Sequence, residues 1–140
     1  MITIKDKIDQ FKRDCRSNDY YTKMIIDCNE RLEEIAEKLR GVSAVTCSGV
    51  KYENVGDPYK ERKLHWLFLE EEVIKERNEY LNRINFVNEK LSNISDPIER
   101  QMIIDLYINK LYYKEVARKY HFSDHASMYK RVNKIIAKIL

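Results

Sequence analysis

KEVARKYHFSDHASMYKRVNKIIAKI, residues 114–139, decides the reading of this chain. Val116 and Ala117 sit in the middle of a short helical stretch, and Tyr120 follows three residues after Ala117. Across His121-Phe122-Ser123-Asp124 the helical spacing of apolar residues breaks. A second helix resumes it, with Met128, Val132, Ile135, Ile136 and Ile139 on one stripe. The pattern predicts two helices joined by a tight turn. Ala117 is small enough to let the second helix cross close to the first. Ser123 or Asp124 is placed to cap the second helix by accepting from its unpaired amides. Off the apolar stripe lie Lys130, Arg131, Asn133, Lys134 and Lys138, a basic and polar face suited to a polyanion.

Charge separates this region from the rest. From Lys110 to Leu140, eight Lys/Arg stand against Glu115 and Asp124, a balance of +6, which leaves −3 for residues 1–109 of a chain whose total is +3. Such a division fits a nucleic-acid-binding end carried by a different kind of module. Three glycines and two prolines in 140 residues leave few helix breakers, so the expected class is all-α. No apolar run reaches the length of a membrane span, and MITIKDKIDQ is too charged for a signal peptide. Cys15, Cys28 and Cys47 lack paired metal-ligand spacing and read as free thiols of a reducing cytoplasm.

Outward from the basic end, Ser95-Asp96-Pro97-Ile98-Glu99 announces another helix, with a capping Ser or Asp and Pro inside the first turn. Its expected buried stripe is Ile98, Met102, Ile103 and Leu106, and Asn109-Lys110 ends it. The long segment 59–92 carries a candidate stripe of Leu64, Leu67, Phe68, Ile74, Leu81, Ile84, Val87 and Leu91. At about 1.5 Å per residue it spans roughly 50 Å. Trp66 and Tyr80 read as packing residues rather than ligand contacts. Residues 41–58 hold all three glycines and read as a loop, with a short hairpin around Ser48-Gly49. Before it, Tyr21, Ile25, Cys28, Leu32, Ile35 and Leu39 form a coiled-coil-like seam that Gly41 ends. Ile4, Ile8, Phe11 and Cys15 mark a first helix, interrupted at residues 16–19. The expected domains are therefore a helical hairpin over 1–93 and a compact three-helix unit over 94–140. Two long amphipathic helices bury little core alone, so pairing with a second copy through the N-terminal helices is the alternative to an antiparallel hairpin.

Over 94–140 the chain resembles region 4 of sigma-70 factors, and more closely the ArpU- and RinA-type late transcription regulators of Gram-positive phages. The residues that carry the resemblance are Ile94-Ser95-Asp96-Pro97-Ile98-Glu99-Arg100 with Ile104 and Leu106-Tyr107-Ile108. They continue through Tyr113-Lys114-Glu115-Val116-Ala117, Tyr120-His121-Phe122-Ser123 and the basic last helix. A Gly/Val/Tyr-containing loop, here Gly49-Val50-Lys51-Tyr52, is a further similarity. Two features depart from the pattern. His121 stands where Gly or Asn is usual, and His enters left-handed backbone at modest cost. Asp124 to Val132 also holds one residue more than the usual start of a recognition helix, an offset of about 100°.

The resemblance implies a helix-turn-helix on double-stranded DNA, acting beside RNA polymerase in a bacterial host cytoplasm to activate phage or prophage late genes. Nothing before residue 94 resembles a promoter-melting segment. The implied DNA contacts are Lys114, Ser123, His125, Ser127, Lys130, Arg131, Lys134 and Lys138. Arg131 is the expected reader of guanine, because its fork pairs with two acceptors on one base. Lys134 and Lys138 are expected on phosphates. Tyr112 and Tyr113 belong either to the DNA backbone contact or to the core. No catalytic, cofactor or metal site is expected: His121 and His125 have zincin spacing without its Glu, and no phosphate-binding glycine loop is present. Two other readings stay open, a small terminase-like packaging subunit and a helical protein–protein adaptor that binds no DNA.

Overall fold

The computed structural model describes the backbone of residues 1–46 and 58–140. It is all-helical, with no strand among the described residues. The helices are α1 (Ile4–Arg16), α2 (Asn18–Thr46), α3 (Pro58–Ser92), α4 (Pro97–Ile103), α5 (Tyr113–Lys119) and α6 (His125–Ile139), and α4 runs on into a π-helical turn (Ile104–Ile108). The hairpin expected at Ser48-Gly49, the Gly49–Tyr52 stretch and Cys47 lie outside the described residues. Residues 41–46, expected as loop, are instead helical. Gly41 does not end α2, because a glycine inside a helix costs only about 1 kcal/mol, which an ordered helix absorbs.

Contacts divide the chain into two compact units, Met1–Tyr21 with Asn82–Leu140, and Thr22–Leu81. This differs from the expected division at residues 93 and 94. The first unit holds 16 Lys/Arg against 10 Asp/Glu, and the second 10 against 13, so the basic and acidic parts coincide with the two units.

In the acidic unit Cys28, Ile35 and Val73 are buried, with Leu32, Leu39, Trp66, Leu69 and Tyr80 packed around them. Arg31 reaches from α2 to Glu76 of α3 at 3.0 Å. Trp66 and Tyr80 are packing residues, as expected. The stripe expected for the first half of α3 is corrected: Leu64, Leu67 and Phe68 are exposed. That part of α3 has apolar residues on two faces, and α2 covers the face bearing Trp66, Leu69 and Val73.

The core of the basic unit draws on every one of its elements. Phe11 and Cys15 of α1, Val87 and Leu91 of α3, and Ile94 join Met102, Ile103, Leu106 and Tyr107. Val116 and Ala117 of α5 and Met128, Val132, Ile135 and Ile136 of α6 complete it. The α6 stripe is the expected one. The helix starts are also local: Thr3 and Asp6 cap α1 reciprocally, Asp96 accepts from Ile98 N at 2.9 Å, and Asp124 accepts from Ser127 N at 2.7 Å. Ser17 separates α1 from α2 within the expected interruption.

Ile98 is corrected from buried to exposed, and Tyr107 joins the core instead. The π turn accounts for the gain of Tyr107. Asn109 N donates to Ile104 O five residues back, which widens the helix and turns neighbouring residues inward together. Met102, Ile103, Asp105, Leu106 and Tyr107 are all buried, more than one stripe of an α-helix holds. Asp105, only 3% exposed, accepts from Lys119 Nζ (2.9 Å), Tyr120 OH (2.7 Å), Gln101 Nε2 (2.9 Å) and Asn109 Nδ2 (3.2 Å). Burial raises the carboxyl's pKa, but the bonds, led by that from Lys119, outweigh it and hold the group at about 2.

After α5 the chain turns through His121 at φ 63°. His121 N donates to Arg118 O at 3.2 Å and Phe122 N to Ala117 O at 2.8 Å, the pair of bonds that closes a helix through a left-handed residue. A left-handed histidine carries roughly 1–2 kcal/mol of steric cost that glycine lacks, against about 0.5–1 kcal/mol of extra chain entropy for glycine. His121→Gly is therefore expected to stabilise the protein by about 0.5–1 kcal/mol. Urea unfolding at neutral pH checks this. A lowered midpoint would mean that the imidazole contributes at the turn.

Candidate nucleic-acid interface

The residues expected at the interface are spread over three places. Lys114, Ser123 and His125 line a cleft of about 280 Å³ at the start of α6, together with Arg118, Phe122 and Asp124. Ser127 and Lys130 are exposed on α6 itself. Arg131, Lys134 and Lys138 lie along one edge of α6 and line a groove of about 350 Å³ against Asn93, Ser95 and Glu99. All eight are exposed; six of them lie on α6, Ser123 just before its cap and Lys114 on α5.

The periodicity of α6 orders these positions. Met128, Val132, Ile135 and Ile136 are buried. At about 100° per residue, Lys130 stands opposite their centre, and Ser127 and Lys134 lie beside it. Arg131 and Lys138 fall closer to the core, at the margin. Arg131 is tied there by an ion pair to Glu99 of α4, so its guanidinium is already engaged in the free protein. Lys130 has no such partner among the described residues.

Asp124, not Ser123, caps α6. Its bond from the Ser127 backbone lowers the carboxyl's pKa. Ser123 is thereby left exposed beside Lys114 rather than spent on the helix start. The ring of His125 meets Tyr113 edge-on at 5.1 Å, and Tyr113 lies 6.3 Å from Tyr129. Tyr113 is half-buried against the core, whereas Tyr112 stays exposed. Packing against the core is thus the role of Tyr113.

Sequence reasoning missed the contribution of α1. Lys12 Nζ donates to Asn133 Oδ1 on α6 and lies over the rings of Tyr107 (5.5 Å) and Tyr129 (6.0 Å). Arg16 lies over Tyr107 at 5.2 Å. Burial lowers the pKa of Lys12; Asp9 opposes that shift and Arg16 adds to it. A charged α1 residue gave no signal, because its proximity to α6 arises from contacts over a hundred residues apart. Arg118, between Lys114 and Ser123 in the cleft, was legible only as one of the basic residues of 110–140.

Cys15 and Cys28 are buried free thiols, and burial pushes the Cys15 thiol up to about 12. Among the described residues no group of three His, Cys, Asp or Glu side chains is placed to hold a metal ion, and no helix is long and apolar enough to cross a membrane. No protein-family model, curated protein or solved structure matches the chain.

Proposed function

We propose that this protein is a sequence-specific, double-stranded DNA-binding transcription regulator of the phage late-gene type, acting with host RNA polymerase. In this reading α5 and α6 are a helix-turn-helix and α2 with α3 is the helical hairpin attached to it. The observation that carries the reading is the left-handed closure at His121 between two helices that bury Val116, Ala117, Met128 and Val132 in one core, with the exposed side of the second helix basic. A basic exposed helix on a rigid support suits the major groove, where side chains from the first turns of the helix reach base edges.

Within α6 the roles are divided by position. Ser127 and Lys130 face outward and read bases. Arg131, Lys134 and Lys138 run along one edge and hold phosphates of one strand, so the guanine-reading role passes from Arg131 to Lys130. Lys114 and Ser123 support the backbone contact from the cleft, and His125 is oriented there by Tyr113.

Titration of random-sequence duplex DNA at several salt concentrations tests the reading. About six phosphate contacts predict a log–log slope near roughly −5. Lys130→Ala is expected to change which sequences are enriched from the bound pool. Arg131→Ala is expected to weaken all sequences alike and flatten the slope by about 0.9. Salt-independent or absent binding would rule out the DNA reading and favour the helical adaptor. The exposed Leu64, Leu67 and Phe68 supply the apolar face through which the N-terminal helices would pair with a second copy.

A further inference from the structure

We infer that α1 is a second phosphate-gripping element, with Arg16 contacting the DNA strand on the side of α6 away from Arg131. The inference rests on the DNA reading above and extends it to a helix that the resemblance does not cover. A helix seated in a major groove about 12 Å wide has a phosphate backbone on each side. Along one side α6 presents Arg131, Lys134 and Lys138. On the other side its own residues are Tyr129 and Asn133, which carry no charge at neutral pH. There α1 lies against α6, with Lys12 bonded to Asn133 and set over the Tyr129 ring.

Arg16 follows one turn after Lys12, and its charge acts on the Tyr129 hydroxyl, lowering a pKa that burial raises. Ile2, Asp6 and Gln10, at and just before the start of α1, lie with Leu140 at the end of α6, and Lys12 meets Asn133. So α1 runs back along α6, and Arg16 sits toward the first half of α6, the part that enters the groove. Arg16 is exposed, and no carboxylate pairs with it among the described residues. The acidic residues on this side are Asp9, whose charge reaches Lys12, and Asp19, which is paired with Lys110. Nearby, the Lys110–Asp19 ion pair (3.8 Å) joins the α1–α2 corner to the segment before α5, beside Tyr112 and Tyr113. Lys12 thus adjoins the phenol of Tyr129, which adjoins that of Tyr113, with Arg16 one turn beyond and two carboxylates, Asp9 and Asp19, on the same side. The cations and hydroxyls are donor types that proteins use on phosphates. Burial of Phe11 and Cys15 holds α1 in place, so Arg16 is positioned before DNA arrives.

The test compares full-length Arg16→Ala with wild type and Arg131→Ala on random-sequence duplex DNA across salt concentrations. Arg16→Gln serves as a second variant that keeps the aliphatic stem over Tyr107. Both Arg16 variants are expected to lower affinity several-fold on every sequence, to flatten the log–log slope by about 0.9, and to leave the selected motif unchanged. If wild type binds and Arg131→Ala weakens it while both Arg16 variants match wild type in affinity and slope, α1 is only a packing element and the inference fails. If wild type shows no salt-dependent binding, the DNA reading itself fails and takes this inference with it. A changed motif would also overturn it, since a phosphate contact carries no sequence information.

Discussion

Replacing Phe11 with alanine is expected to cost the basic unit about 3–5 kcal/mol, the range for truncating a fully buried phenylalanine. Phe11 is 1% exposed and shares one core with Leu91, Tyr107 and Ile136. Its loss leaves a cavity between α1, the end of α3 and the helices that follow. A typical domain is stable by only about 5–15 kcal/mol, so the variant should lie near the threshold of folding. Urea unfolding followed by circular dichroism gives the difference, and hydrogen exchange at the α6 amides locates it. A loss under about 1 kcal/mol would mean that α1 is an appendage and that residues 94–140 hold their own core. The same geometry gives the basic helices a scaffold drawn from both ends of the chain.

Asp105→Ala is expected to destabilise the protein by about 3 kcal/mol at pH 7, because four hydrogen bonds, one of them charged on both sides, end on this carboxylate. The partners that remain are near solvent and recover part of their hydration, which keeps the loss below a sum of the four. Asp105 also carries a pH signature. Its carboxyl titrates at about 2 in the folded protein against 3.8 in the reference state. A folded pKa below the unfolded one stabilises the native state above the unfolded value, and this contribution disappears as pH falls through the folded value. The difference corresponds to about 2 kcal/mol, present above about pH 5 and roughly half gone by pH 3. Asp6 and Asp124 are shifted in the same direction in both proteins, so wild type should lose stability in acid faster than Asp105→Ala through the Asp105 contribution alone. Equal acid sensitivity in the two proteins would contradict this account of the Asp105 cluster.

The cluster also bears on the interface. Lys119 and Tyr120 close α5 just before His121, and both are tied to Asp105 in the π turn. The angle at which α6 leaves the turn is thus set partly by a buried carboxylate outside the two helices. On the proposed DNA reading, Asp105→Ala should therefore weaken binding through misplacement of α6 rather than through lost contacts.

Much of this was legible in the residues themselves. The cap sites at Ser95-Asp96 and Ser123-Asp124, the stripe of α6, the break after α1 and the left-handed position at His121 depend on neighbours within a few residues. Such features follow from hydrogen-bond satisfaction and helical period, and they belong to the sequence alone. So do the all-helical class and the basic character of 110–140. Other features rest on partners distant in the chain. α3 offers two apolar faces, and only the approach of α2 selects Trp66, Leu69 and Val73 over Leu64 and Phe68. Asp105 carries no local sign of burial; the π turn brings it inward, where Lys119 and Tyr120 meet it. Gly41 reads as a helix end until the helix continues past it. The placement of α1 beside α6, and with it Lys12 and Arg16 at the edge of the basic face, came from tertiary structure alone. A helix's stripe states that it must be covered, and the identity of the cover is settled by which surfaces bury the most apolar area together.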